Sequence, residues 1–128
     1  MIRIRFLKSG GIYYGFEETG HAGYADEGND IVCAAVSAMT MLVINIIEVA
    51  LASDVKYVID DETTDVKVIV KGALPQYESD EKKRFAVSGV LTGYFFQLSD
   101  MLEDYYEFLD VDEEERPFEA AENHKEEQ

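Results

Sequence analysis

Apolar and basic residues alternate over Ile2-Arg3-Ile4-Arg5-Phe6, Gly10-Gly11 follows, and Ile12 to Thr19 is rich in aromatic and β-branched side chains. This pattern predicts a β-hairpin. The stretch from Gly20 to Asn29 has no apolar period and carries glycines at Gly20, Gly23 and Gly28. It is expected to be a loop, free to adopt backbone shapes and motions that other residues resist. Asp30 then reads as the N-cap of a helix starting at Ile31 and running to about Leu51, where Ser53 and Asp54 end it. Nearly every face of that helix is apolar, so it needs covering by the sheet and by another helix or a second subunit. At about 100° per residue, Cys33, Ser37, Thr40, Asn45 and Glu48 share one stripe, interrupted by Met41 and Ile44.

Alternation returns at Val55 to Asp60 and at Val66 to Lys71, with the polar Asp61-Glu62-Thr63-Thr64 between them, which predicts a second hairpin. Pro75 interrupts and Ser79 is a candidate cap. Val87, Leu91, Tyr94, Leu98, Met101, Tyr105 and Leu109 then recur every three or four residues, the period of a long amphipathic helix. Gly89 and Gly93 weaken that helix by about 1 kcal/mol each relative to Ala, which points to close packing against the first helix or a partner. The expected fold is α+β in the order ββαββα, with a mainly antiparallel sheet and two helices packed on one face.

Length and composition fit this plan. The chain has 128 residues, 47% of them hydrophobic, enough for one domain with a real core. The domain is expected over residues 1–110 and an acidic, solvated tail over 111–128. Residues 99–128 carry 13 Asp and Glu against 2 Lys and Arg, a net of −11 out of −16, which leaves −5 for residues 1–98. Such a chain repels phosphate backbones and attracts basic proteins or peptides, so no direct nucleic-acid partner is expected. The run Ile31 to Ala52 raises the question of a membrane span, but Ser37, Thr40, Asn45 and Glu48 lie within it and no Lys or Arg flanks it, so no membrane partner is expected. One cysteine excludes an intrachain disulfide, and the N-terminus has no signal-peptide pattern, so a cytoplasmic location is expected.

The chemistry centres on Cys33, with His21 twelve residues earlier. A cysteine attacks as its thiolate, so a reactive site must lower the thiol pKa. Two devices are at hand: the positive end of a helix capped at Asp30, and an imidazolium at His21. The backbone N–H groups at that helix start would suit an oxyanion. The residues alone also allow a blander account, in which Cys33 is a small packed hydrophobe, His21 a polar loop residue, Asp30 a plain cap that could also orient His21, and Ser37 a back-bonded helix serine. His124 sits in the acidic end, so one Cys and two His make no zinc set, and the clusters Asp60-Asp61-Glu62 and Asp112 to Glu115 read as a solvated turn and tail. No metal or other cofactor is expected.

Gly20-His21-Ala22-Gly23 followed by Gly28-Asn29-Asp30-Ile31-Val32-Cys33-Ala34-Ala35-Val36-Ser37 closely resembles the signature of the bacterial ribosomal-processing cysteine proteases, the Prp family. The resemblance extends through the paired hairpins and the second helix. It implies a thiol protease that removes the N-terminal extension of a large-subunit ribosomal protein during ribosome biogenesis, with a ribosomal protein precursor as partner. It also implies a small homodimeric α+β fold, Cys33 as nucleophile and His21 as general base and acid. Asp30 matches the family's motif aspartate, in a structural or catalytic part, and Ser37 supports it. Gly20, Gly23 and Gly28 would let the loop close only on the correct peptide. A rival from another class is a non-catalytic ribosome-associated factor that binds a basic ribosomal-protein arm, with Cys33 as packing. A thiol-redox protein is weaker, because no second cysteine can resolve an oxidised one.

Overall fold

The computed structural model describes residues 1–20 and 27–118, with backbone alone for 27–29. Strand β1 (Ile2–Ser9) and strand β2 (Ile12–Thr19) form the expected hairpin through Gly10 and Gly11, both at positive φ (58° and 79°). Their register shifts between Leu7 and Lys8, which face Gly15 and Tyr13, a bulge in β2 that inserts Tyr14 as the extra residue. Beyond the bulge, Phe16 and Glu18 of β2 both turn to the core, and both are buried.

Helix α1 (Glu27–Asn45) continues through one π-helical turn over Ile46–Ala50. It starts four residues before the expected Ile31, so Asp30 is the fourth helical residue and not the N-cap. Gly28 and Asn29 belong to the helix and not to the loop. Two acidic residues, Glu27 and Asp30, thus stand in a first turn whose dipole favours negative charge. One face, Val32, Val36, Val43, Ile44 and Ile47, enters the core. The opposite face stays open: Ile31, Leu42 and Val49 are exposed, so the fold alone does not supply the cover that the sequence calls for.

Strand β3 (Lys56–Ile59) and strand β4 (Val66–Ile69) form the second hairpin. Its turn is fixed by Asp60, whose Oδ1 accepts from the backbone N–H of Glu62 (2.8 Å) and Thr63 (2.9 Å), while Thr64 takes positive φ (61°). Helix α2 (Glu81–Tyr105) is capped by Asp80 in place of the expected Ser79; the Asp80 side chain accepts from Lys82 N and Lys83 N. Val87, Leu91, Tyr94 and Leu98 form its buried stripe, as the period predicts. Thr40 of α1 and Tyr94 of α2 both meet Glu18 of β2, so the two helices cover the same sheet face.

The correction lies at the C-terminal end. Leu109 does not continue α2 but opens a fifth strand, β5 (Leu109–Glu115), which pairs in parallel with β1. The sheet order is β3-β4-β2-β1-β5, a ββαββαβ plan. Five acidic side chains out of seven make a poor strand by propensity. The basic positions of β1 compensate: Arg5 donates to both carboxylate oxygens of Asp112 (3.0 and 3.1 Å), and Lys8 to Glu113 (2.8 Å). Tyr13 also donates to Glu113, and Arg116 bridges Glu114 (2.6 Å) and Glu17 (3.2 Å). Beyond the strand, Phe118 is buried against Tyr14 and Tyr77, and the Tyr14 hydroxyl donates to the Arg116 carbonyl (2.8 Å). Residues 111–118 are therefore part of the fold and not a solvated tail; His124 and the rest of 119–128 lie outside the described residues.

Candidate active site

Helix α1 and the β3–β4 hairpin enclose a cavity of about 340 Å³, lined by Cys33, Ser37, Thr40, Met41 and Ile44 from the helix. Tyr57, Ile59, Thr64 and Val66 close the hairpin side, and Glu18 reaches in from β2. The stripe read from the sequence is real as far as Ile44. Met41 and Ile44, which appeared to interrupt it, line the same wall, whereas Asn45 and Glu48 are exposed beyond its end. Cys33 is half-buried and Ser37 stands one turn away on the same wall.

The electrostatics of Cys33 differ from the sequence expectation. With α1 starting at Glu27, Cys33 is its seventh residue, so its own N–H lies inside the helical ladder. The unsatisfied N–H groups belong to the helix start, one turn earlier. The dipole falls off within that first turn and does little for the sulfur. Burial pushes the Cys33 thiol up, the Asp30 carboxylate pushes it further the same way, and the N-terminal ammonium of Met1 partly opposes them. Asp30 thus works against the thiolate.

His21 and Gly23 lie outside the described residues. Gly20 is described: its φ is +90°, and a Cβ there would fall 2.0 Å from the Met1 carbonyl oxygen. Close packing of the N-terminus fixes this residue as glycine. Among the described residues, no three of His, Cys, Asp and Glu gather into a metal cradle.

Residues 1–110 match the profile of the family described as cysteine protease Prp. The chain belongs to the Prp family. It is therefore a cysteine-type peptidase by membership, and the α+β fold agrees. Among solved structures it is similar to SMU.848 from Streptococcus mutans, at 30% identity over 91% of this chain and 96% of that one, with a TM-score of 0.74. It also shares its fold with the ribosomal processing protease Prp from S. aureus, solved with a substrate peptide. That match has 19% identity, covers 89% of this chain and 100% of that one, and has a TM-score of 0.74. The same S. aureus protease with a covalently linked product peptide gives 20% identity over 89% and 100% and a TM-score of 0.70. No match emerges among curated proteins.

Sequence reasoning missed two features of this Prp-family site. One is Glu18, 1% exposed, whose carboxyl accepts from Thr40; Thr40 Oγ1 lies 2.8 Å from the Tyr94 hydroxyl. Period-two alternation from Phe16 would have turned Glu18 inward, but a carboxylate one residue from a strand end reads as solvated. The other is β3, an edge strand whose Tyr57, Val58 and Ile59 are all exposed next to the cavity.

Proposed function

We propose that this chain removes the N-terminal extension of a large-subunit ribosomal protein, with Cys33 as nucleophile and His21 as general base and acid. The observation that carries the reading is the placement of Cys33: the half-buried thiol faces an apolar cavity that opens along the bare edge of β3. An exposed apolar strand edge is a template for an extended peptide, which pairs with it through backbone hydrogen bonds. That mode suits a flexible ribosomal-protein arm, and the net charge of −16 suits a basic one. SMU.848 at 30% identity and the peptide-bound S. aureus relatives support it.

In this mechanism His21 takes the Cys33 proton as sulfur attacks the scissile carbonyl carbon. The C–N bond then breaks, and the His21 imidazolium protonates the leaving amine. Water, deprotonated by His21, hydrolyses the thioester and restores the thiol. Since burial and Asp30 both push the thiol up, activation rests on His21. Cleavage of a peptide spanning the extension junction, followed by mass spectrometry, tests the assignment. Cys33→Ala should abolish cleavage and His21→Ala should lower it by about 10²–10⁴-fold. Cleavage that survives in Cys33→Ala removes the sulfur from its role. Peptide binding without any cleavage by wild type would favour the non-catalytic binder.

We further place the enzyme in the cytoplasm, where a lone thiol stays reduced, and as a homodimer. The second claim rests on the bare face of the helices. Phe85, Gly89, Gly93 and Phe96 form one stripe of α2, and both phenylalanines are exposed. A Cβ at Gly89 or Gly93 would meet nothing within 4 Å, so packing against α1 does not explain these glycines. Leu42 and Ile46 of α1 border the same groove. A second copy with the same face would bury it.

A further inference from the structure

We propose that Thr64 is a specificity-determining residue: its side chain closes the Cys33 end of the cavity and sets the largest substrate side chain that fits there. This inference rests on the protease reading and names what limits its substrate.

The turn from β3 to β4 is closed by backbone bonds: Asp60 N–H donates to the Asp65 carbonyl (2.8 Å), and Thr64 N–H donates to the Asp60 carbonyl (2.8 Å). With the two bonds accepted by the Asp60 carboxylate, they hold Thr64 at its φ of +61°. Glycine or asparagine is the ordinary occupant of such a position, and a β-branched side chain is strained there. Formation of the turn therefore does not account for threonine. What threonine adds is a side chain in the cavity wall. Its hydroxyl hydrogen goes to the Thr63 carbonyl (2.6 Å), so the side chain meets a ligand by its bulk.

The strand register places Thr64 at the thiol end. Val66 stands opposite Glu18 of antiparallel β2, so Thr64 lies beyond that pair, towards Gly20. The N-terminus packs on Gly20, and the Met1 ammonium is near enough to Cys33 to act on its thiol. Thr64 and Cys33 thus flank the same end of the cavity, where a side chain next to the scissile bond would meet the threonine. At about 340 Å³ the cavity is small for a ligand pocket, so trimming one side chain from its wall is felt. A methylene gained or lost in a hydrophobic pocket changes rates by about 10–200-fold.

A series of apolar side chains of rising size tests this: alanine, leucine, phenylalanine and naphthylalanine. Each is placed in turn at the four residues before and the two after the scissile bond of a cleavable peptide. At one position wild type should show a size limit, kcat/KM falling at least about tenfold from the last member accepted to the first refused. Thr64→Gly and Thr64→Ala both trim the side chain and ease the backbone, so the melting temperature should hold or rise. In both, the refused member should gain about tenfold on the accepted one. Thr64→Val, close to threonine in shape but without the hydroxyl, should leave the limit where it is. Because each readout is a ratio within one protein, partial loss of folded enzyme does not distort it. A wild type with no size limit at any position overturns the proposal. So does a limit that stays in place in Thr64→Ala, since movement in Thr64→Gly alone would reflect a loosened turn, or one that moves as far in Thr64→Val. A wild type that cleaves no peptide, or a Cys33→Ala variant that still cleaves, overturns the protease reading instead.

Discussion

At the residue scale, the decisive atom is the Cys33 sulfur, and its surroundings set up an experiment with a definite sign. Asp30 stands three residues before Cys33 on one helix, so its negative charge opposes a second negative charge on the sulfur and raises the thiol. Removing that charge must lower the thiol pKa and increase the thiolate fraction near neutral pH. Asp30→Asn should therefore react faster with iodoacetamide at pH 7, by up to about fivefold for a partly solvated pair, with the midpoint of its rate–pH curve shifted down. An upward shift would show that Asp30 holds a cationic partner in place, His21 being the candidate. Cys33 and Ser37 share a wall, as helical spacing requires. The cap assigned to Asp30 fails because α1 gains a turn, and side-chain spacing carries no information about where the backbone ladder begins. Glu18 was invisible for the reason that makes it interesting, since its burial depends on Thr40 and Tyr94, 22 and 76 residues away in the chain.

At the element scale, the two hairpins and two helices are legible because each is encoded locally, by period two, period 3.6 and turn residues. Strand β5 is not. Its sequence, LDVDEEE, matches a solvated tail, and it becomes a strand only because Arg5 and Lys8, more than 100 residues earlier, neutralise it. The distinction changes what truncation should do. Ending the chain after Phe118 should leave the melting temperature and cleavage of a short uncharged peptide nearly unchanged. Ending it after Asp110 removes most of β5 and the Phe118 plug, strips one edge of β1, and should lower the melting temperature by several degrees or leave the protein insoluble. Equal behaviour of the two truncations would mean that β5 contributes nothing. Acid offers a second handle on the same element. Hydrogen bonds from Lys8 and Tyr13 hold the Glu113 carboxyl below the usual carboxylate range. Its contribution is then present above the unfolded pKa of about 4.3 and is lost as pH falls through the lower, folded value. The drop in melting temperature on going below pH 4 should shrink in Glu113→Gln.

At the scale of the whole molecule, the fold presents two unlike surfaces, and they divide the tasks. One sheet edge, β5, is guarded by acidic side chains in ion pairs, a device that discourages strand addition. The other edge, β3, is bare, apolar and next to the thiol. The open face of α1 and α2 is apolar as well, yet Cys33 lies on the other side of α1, against the hairpin, so a partner there would leave the cavity accessible. This separation makes dimerisation testable without touching the chemistry. Leucine at Gly89 or Gly93 meets no atom of its own chain within reach of the new Cβ, and it raises helix propensity by nearly 1 kcal/mol at each site. Within one subunit the double variant Gly89→Leu/Gly93→Leu should be neutral or stabilising. Across an interface where two α2 helices approach at those glycines, the same side chains would force the helices apart. Light scattering after size exclusion should therefore find wild type as a dimer and the double variant as a folded monomer of half the mass. A variant that remains dimeric would place the contact elsewhere, and a wild type that is monomeric at micromolar concentration would leave Phe85 and Phe96 awaiting a different partner.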